Sequence, residues 1–166
     1  EKNGAYKVVS NLVAKIGNEE YTSLQAAIEA VEDGETIVLQ RDVNIATPAY
    51  GQNALNHAKA VNFTLDLNGK TIFADTGNSV FRYNISQTDA TSNITVTFKN
   101  GTITSGDKTW CTVMAAGTSN DVKAIFNLED LTINASKAGD LAVKAWDYAV
   151  INAKNVTVNA TKCAGG

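Results

Sequence analysis

The carboxylates are the side chains in this sequence whose type best suits catalysis. Glycoside hydrolysis needs two carboxylates about 5–10 Å apart, and lyase chemistry needs an acid-lined calcium site next to a base. Alignment of the repeats described below pairs Asp66 with uncharged residues in the later repeats: Thr97, Asn127 and Asn152. Three other acids fall in predicted loops or turns, where they could converge: Asp107, Asp140 and Asp147. A solvated strand residue is the expected role of Asp66, and no catalytic residue is predicted.

Aromatic rings offer a second kind of chemistry, the binding of sugars. Sugar-binding surfaces combine flat aromatic rings with hydrogen-bonding Asn, Asp and Thr side chains. Trp146, Asp147 and Tyr148 are consecutive, so strand alternation would place both rings on one face. If that face points outward, the three residues form a binding site; if it points inward, they belong to the core. Trp110 precedes an apolar strand at a predicted corner, and these four residues are the binding candidates.

Histidine, cysteine and metal chemistry have weaker support. His57 is the only histidine and lies in a polar segment, 46–60, so a solvated side chain is expected there. Cys111 and Cys163 fall at roughly equivalent places two coils apart, about 9–10 Å, whereas a disulfide needs Cα atoms within about 7 Å. Two thiols are expected unless the C-terminal tail folds back, and no cofactor or metal is predicted.

Length and charge bound the class of protein. The 166 residues (17.6 kDa) suit one domain. A net charge of −3 with scattered basic residues gives no indication of nucleic-acid binding, and no apolar run is long enough to span a membrane. The chain contains eighteen Asn and eighteen Thr, a composition that favours strands with many tight corners.

A phrase of eight residues recurs four times, beginning at residues 65, 96, 126 and 151: LDLNGKTI, VTFKNGTI, FNLEDLTI and INAKNVTV. Alternating apolar residues before a polar break indicate a strand with one buried face. Asn, Asp and Gly at the break tolerate the positive φ that a corner needs. The predicted turn residues are Asn68, Gly69, Asn100, Gly101, Asp130 and Asn155. Periods of this length without linker helices favour a parallel β-solenoid over leucine-rich repeats or a propeller.

The segment before the repeats predicts a β-hairpin over 12–24 and a helix over 22–34. The predicted N-cap is Thr22, with Gln25 three residues later as in a capping box, and Gly34 supplies the C-terminal stop. Four apolar residues form one stripe of this helix, and they must cover another surface: Leu24, Ala27, Ile28 and Val31.

The run TSLQAAIEAVEDGETIVLQRDV, followed by LDLNGKTI and KNGTIT, resembles right-handed β-helix proteins of the pectate-lyase-like superfamily. It is most similar to modules of large bacterial cell-surface proteins, over about residues 13–106, and the resemblance implies a helix that caps the N-terminal mouth. We therefore predict an all-β fold. It is a right-handed parallel β-helix of four to five coils with an N-terminal β-hairpin and capping α-helix.

One domain is predicted over residues 1–166, with the hairpin and helix in 1–34 and the coils in 35–166. No second cap is visible in the last residues, and an uncapped solenoid exposes a strand edge. We therefore expect a fragment of a longer chain with further domains, or a partner that covers this end.

The expected function is that of a non-enzymatic module, secreted or at the cell surface, acting as a scaffold or adhesin. Its expected ligand is a polysaccharide or a host or cell-surface glycan. The alternative is a polysaccharide lyase or glycoside hydrolase acting on acidic or plant polysaccharide, which rests on the superfamily alone.

Overall fold

Strands make up most of the structure, a computed structural model that describes residues 11–45, 53–136 and 141–160. A short hairpin and a helix come first: β1 (Ala14–Ile16), β2 (Glu19–Tyr21) and α1 (Leu24–Ala30). The remaining strands are β3 (Glu35–Leu39), β4 (Val43–Ile45), β5 (Leu55–His57), β6 (Phe63–Asp66), β7 (Thr71–Ala74), β8 (Ser79–Asn84), β9 (Ile94–Ser105), β10 (Cys111–Ala116), β11 (Ala124–Asn134), β12 (Leu141–Trp146) and β13 (Val150–Asn159). A 3₁₀ turn, Ile85–Gln87, follows β8.

Each turn of the chain contributes strands to three faces. On the first face, β3, β6 and the first halves of β9, β11 and β13 pair in parallel. The second face holds β4, β7 and the second halves of the same long strands. The third face holds β5, β8, β10 and β12. The predicted parallel β-solenoid is confirmed, with about three turns rather than four to five. Among the described residues, no third-face strand follows β13.

The predicted hairpin and helix cap the first coil. β1 pairs with both β2 and β3 in antiparallel, and the predicted apolar stripe of α1 is buried against the coil: Leu24, Ala27, Ile28 and Val31. The N-cap is Ser23, whose hydroxyl accepts a hydrogen bond from the Ala26 amide (3.1 Å), and not the predicted Thr22. Gln25, predicted to complete the capping box, instead binds the Asn56 backbone of β5 through both ends of its amide.

The first corner is longer than the later ones, which corrects the repeat alignment. Strand pairing places Asp66 beside Lys99 and not beside Thr97. Four residues, 67–70, lie between the paired strands at this corner, whereas two, 100–101, lie at the next. Asp66 therefore belongs to a charged column, with Lys99 Nζ 3.6 Å from its Oδ2, rather than to the Thr and Asn column.

The corners depend on residues that adopt positive φ cheaply. Five of the six predicted turn residues do so, four of them Asn or Asp: Asn68 (φ 50°), Asn100 (60°), Asp130 (51°) and Asn155 (53°). Gly69 (φ 73°) follows Asn68, and the Lys70 amide donates to the Leu67 carbonyl (2.7 Å), which closes a two-residue turn. Gly101 has no positive φ, and a Cβ there would collide with the buried Leu67. That position needs glycine for space.

Inside the coils, aromatic rings from two faces stack along the axis. Phe98 lies edge-to-face against Phe81 (4.8 Å between centroids) and Phe126 (5.1 Å). All three rings are fully buried, and such pairs stabilise by about 0.5–1.5 kcal/mol beyond area burial. Phe81 of β8 joins the third face to this aromatic core.

Candidate functional site

The outer side of the third face brings both tryptophans around one lysine. In register across three coils lie Arg82 of β8, Met114 of β10 and Lys144 of β12. Trp110 directly precedes β10 and Trp146 ends β12. Lys144 Nζ lies 4.5 Å from the Trp110 ring centroid and 4.4 Å from that of Trp146. The ammonium therefore makes a cation–π contact with each of the two indoles.

A small apolar patch supports this arrangement from below. Cys111, Met114 and Ala116 are buried on the outer side of β10, with Trp110 and Leu141 packed against them. β10 is consequently buried along its whole length, although its outer side faces away from the solenoid core. The indole of Trp110 covers this patch, which fixes its position on the face.

A third aromatic residue, Tyr148, lies two residues after Trp146 in a turn with left-handed backbone. Asp147 (φ 45°) and Tyr148 (φ 61°) are both left-handed, and the Ala149 amide donates to the Trp146 carbonyl (3.2 Å). Aspartate adopts left-handed backbone cheaply, but at Tyr148 it costs roughly 1–2 kcal/mol, and such strain tends to occur at functional sites. Gly117 makes room for this turn, because a Cβ there would collide with the Asp147 carbonyl.

Trp146 is 43 % exposed and Tyr148 55 % exposed. The alternation argument in the sequence assumed one continuous strand, but β12 ends at Trp146 and the turn carries Tyr148. We call the set Trp110, Lys144, Trp146 and Tyr148 the aromatic surface. Asp147 lies at its edge.

The charge of the aromatic surface is positive at its centre. Neither Lys144 nor Arg82 forms an ion pair with any described residue, and Arg82 Nε is buried without a hydrogen-bond partner in that part of the chain. Lys144 and Arg82 escaped the sequence reasoning, as did Met114, because only the strand register shows that they share a column. One feature of the sequence could have indicated this column. Each of the three residues lies in a short strand between two of the recurring eight-residue segments.

Several of the described carboxylates accept hydrogen bonds from backbone amides at corners. Asp42 accepts from the Thr71 amide (2.8 Å), Asp75 from that of Lys108 (2.7 Å), and Asp33 from that of Asn62, which lowers the pKa of Asp33. Asp66 accepts from the Asn68 amide (2.8 Å) and from Asn100 Nδ2. Across the described ranges, no three His, Cys, Asp or Glu residues cluster as a metal site would require. Asp107 is exposed, and Asp140 lies outside those ranges.

His57 is not solvated, which corrects the prediction. It is 4 % exposed and lies between Phe63 (4.7 Å between centroids) and Tyr83 (5.0 Å). Burial lowers the pKa of His57 to about 4, against a small opposing interaction with the Val61 backbone. Neither ring nitrogen has a hydrogen-bond partner of good geometry among the described residues. His57 is a core residue. Its pKa of about 4 lies well below neutral pH, whereas an effective general base has a pKa near the pH at which it works.

Cys111 is buried at the start of β10, in register with Leu141 of the next coil. Cys163 lies outside the described residues, so whether the two sulfurs pair stays a prediction.

No protein-family model, curated protein or solved structure matches the chain. Over the described ranges, no helix has both the length and the apolar character needed to cross a membrane. The class of protein is thus defined by its own geometry: a parallel β-solenoid with an exposed aromatic surface on its third face.

Proposed function

We propose that this chain is a non-enzymatic β-helix module, secreted or displayed at a cell surface, that binds carbohydrate through the aromatic surface. The observation that carries the proposal is the cation–π contact of Lys144 with two indoles, one of which, Trp146, is exposed, with an exposed tyrosine two residues after it in the chain. Flat rings beside hydrogen-bonding groups suit the mixed apolar and polar faces of a pyranose.

Each part of the aromatic surface has a separate task in this proposal. The Trp146 indole and the Tyr148 ring, both exposed, offer apolar platforms to the C–H faces of sugar rings. Lys144 donates to hydroxyl or carboxylate oxygens from between the indoles. Because a solenoid face is rigid, little conformational entropy is lost when the ligand binds.

The extracellular or cell-surface location rests on the sequence. The helix and first repeats resemble modules of bacterial cell-surface proteins in the pectate-lyase-like superfamily, and the chain is rich in Asn and Thr on its outer columns. A module of a longer adhesin, with further domains, fits this resemblance. Two of the described corner acids, Asp42 and Asp75, bind backbone amides, which gives them a structural role rather than one in a lyase or hydrolase site.

A glycan array followed by calorimetric titration tests the proposal. We expect Trp146→Ala and Lys144→Ala each to weaken binding by roughly 3- to 10-fold, the size of one aromatic or cation–π contact. Lys154→Ala is the control, because Lys154 is an exposed lysine on the first face, away from the aromatic surface. Binding unaffected by the first two variants would contradict the assignment of the surface. Release of unsaturated or reducing sugars would instead show an enzyme.

A further inference from the structure

The segment 55–59 holds the capping helix α1 on the first coil. Gln25 of α1 binds Asn56 in both directions: its Nε2 donates to the Asn56 carbonyl (3.1 Å), and its Oε1 accepts from the Asn56 amide (3.1 Å). Lys59 Nζ donates to the Val31 carbonyl (2.6 Å) at the C-terminal end of the helix. In the described chain, the side-chain hydrogen bonds that join α1 to the coil all involve Asn56 or Lys59.

His57 lies between these two anchors, with its ring buried against Phe63 of β6 and Tyr83 of β8. Neither ring nitrogen has a hydrogen-bond partner among the described residues. Its strand, β5, is the end strand of the third-face sheet: it pairs with β8 on one side, and α1 packs against it. Water can therefore reach a charged ring if β5 and α1 move, whereas the coils beyond β8 can stay in place.

The charged groups around His57 couple its protonation to one of the anchors. Burial lowers the pKa of His57 to about 4, and the charge of Lys59 acts in the same direction. The packed elements contribute one buried phenol and two exposed carboxylates: Tyr83 of β8, Asp89 after β8 and Glu29 of α1. No carboxylate among the described residues is buried, so none offers a buried counter-charge. A proton on His57 therefore repels Lys59, the residue that holds the C-terminal end of α1.

We propose that α1 and the segment 55–59 form an acid-sensitive cap: protonation of His57 opens the two together, while the later coils stay folded. Opening of one end is compatible with a solenoid, because each coil contacts only its neighbours and stability is local. The open cap exposes the apolar stripe of α1 and the core of the first coil. This device does not depend on the carbohydrate proposal, because the cap and the aromatic surface share no residue.

The pH range of the opening follows from the two states of the ring. The pKa of His57 is about 4 in the closed cap and returns toward 6.5 when the ring reaches water. Because the open form binds the proton more readily, the equilibrium constant for opening rises as the pH falls below 6.5 and levels off below about 4. Between pH 7 and pH 5 the expected rise is about 20-fold. Exposed carboxylates stay mostly ionised at pH 5, so this comparison isolates the histidine.

Amide hydrogen exchange of the full chain, followed by NMR and corrected for the intrinsic exchange rate at each pH, measures the opening. We expect the Val31 amide, which donates to the Ala27 carbonyl, to be less protected than the amides of β11. Its protection should fall about 20-fold from pH 7 to pH 5, and His57→Leu should show no such fall. Equal protection of Val31 and β11 would mean that the cap opens only with the whole chain. That result, or a fall retained in His57→Leu, would overturn the proposal.

Two further measurements apply even if His57→Leu does not fold. Lys59→Met removes an anchor and should lower the protection of Val31 at pH 7 by about 10-fold or more, the effect of a lost hydrogen bond from a charged group. Lys123→Met is the matched control, because Lys123 is a half-buried lysine at the corresponding corner two coils further on, and it should leave Val31 unchanged. His57 is the only histidine, so an NMR titration of its ring reports on the wild-type cap directly. A midpoint near 6.5, or equal effects of the two lysine variants, would also overturn the proposal.

Discussion

At the scale of the residue, His57 shows how burial changes the role of a side chain. The ring fills space between Phe63 and Tyr83, and protonation there would leave a charge without a described hydrogen-bond partner. Burial, together with the charge of Lys59, therefore lowers the pKa of His57 from 6.5 to about 4. The neutral form is the one compatible with the fold.

Acid should destabilise the protein through this residue. Because the pKa is lower in the folded state, the unfolded chain binds the proton more readily between pH 6.5 and about 4. Stability is then lost as pH falls through this window, by on the order of 2 kcal/mol. Urea unfolding at pH 7 and pH 4.5 measures the effect. His57→Leu, of similar volume, should lose most of this pH dependence; an unchanged slope in that variant would assign it to other groups.

Gly101 differs in type from the residues in register with it in the later coils, Leu131 and Val156. It is small because the longer first corner lies directly beneath it. A Cβ at Gly101 would lie 2.6 Å from the Lys70 carbonyl oxygen and closer still to Leu67. The requirement comes from the neighbouring coil rather than from the residue's own backbone.

Gly101→Ala should therefore destabilise the fold by about 1–3 kcal/mol, the usual cost of overpacking. The adjacent substitution Thr102→Ala, at a half-buried strand position, serves as the control and should change stability by less than about 0.5–1 kcal/mol. Chemical unfolding of both variants gives the comparison. Equal stability of the two would mean that the first corner can shift to admit a methyl group.

At the scale of the element, the helix α1 is fixed at both ends by side chains from different parts of the chain. Ser23 satisfies the Ala26 amide at the N-terminus. At the other end Lys59 Nζ donates to the Val31 carbonyl (2.6 Å) and approaches the two carbonyls before it, where a cation also complements the helix dipole. The seven-residue helix would be unstable alone, so these contacts hold it on the first coil.

Ser23→Ala should cost about 1 kcal/mol in unfolding free energy, because an amide of the first turn loses its acceptor. Thr22→Ala is the matched control. Thr22 is exposed and precedes the cap, so its loss should change stability by less than about 0.5 kcal/mol. Thermal unfolding followed by circular dichroism distinguishes the two. A larger effect at Thr22 would restore the N-cap predicted from the capping-box pattern.

The elements were largely predictable from sequence, whereas the columns they form were not. Period-two alternation identifies which side of a strand is buried and correctly predicts the solenoid, while the i, i+3, i+4 and i+7 spacing of apolar residues correctly predicts the buried stripe of the helix. Which residues stack depends on corner length. The two extra residues of 67–70 moved Asp66 from the Thr97 column to that of Lys99. Lys144 was not predicted for the same reason, because its position in a short apolar strand does not reveal its column. Both tryptophans beside it were predicted as binding candidates.

At the scale of the whole molecule, the solenoid behaves as a stack in which each coil contacts only its neighbours. The two ends differ: α1 and β1 cover the first coil, while the last described coil presents the outer edge of β13. Stability should therefore vary along the axis even where residue type does not. Equivalent positions in one column provide the means to measure this variation.

Ile133 and Val158 are such a pair, in register on β11 and β13 but 0 % and 47 % exposed. We expect Ile133→Ala to cost about 2–4 kcal/mol, because it leaves a cavity between two covered coils. Val158→Ala should cost less than about 1 kcal/mol, since half of that side chain is already in water. The extra carbon of isoleucine accounts for only about 0.8 kcal/mol of the difference. Urea unfolding with global analysis of both variants measures it. If Val158→Ala proves as costly as Ile133→Ala, something already covers this end in solution.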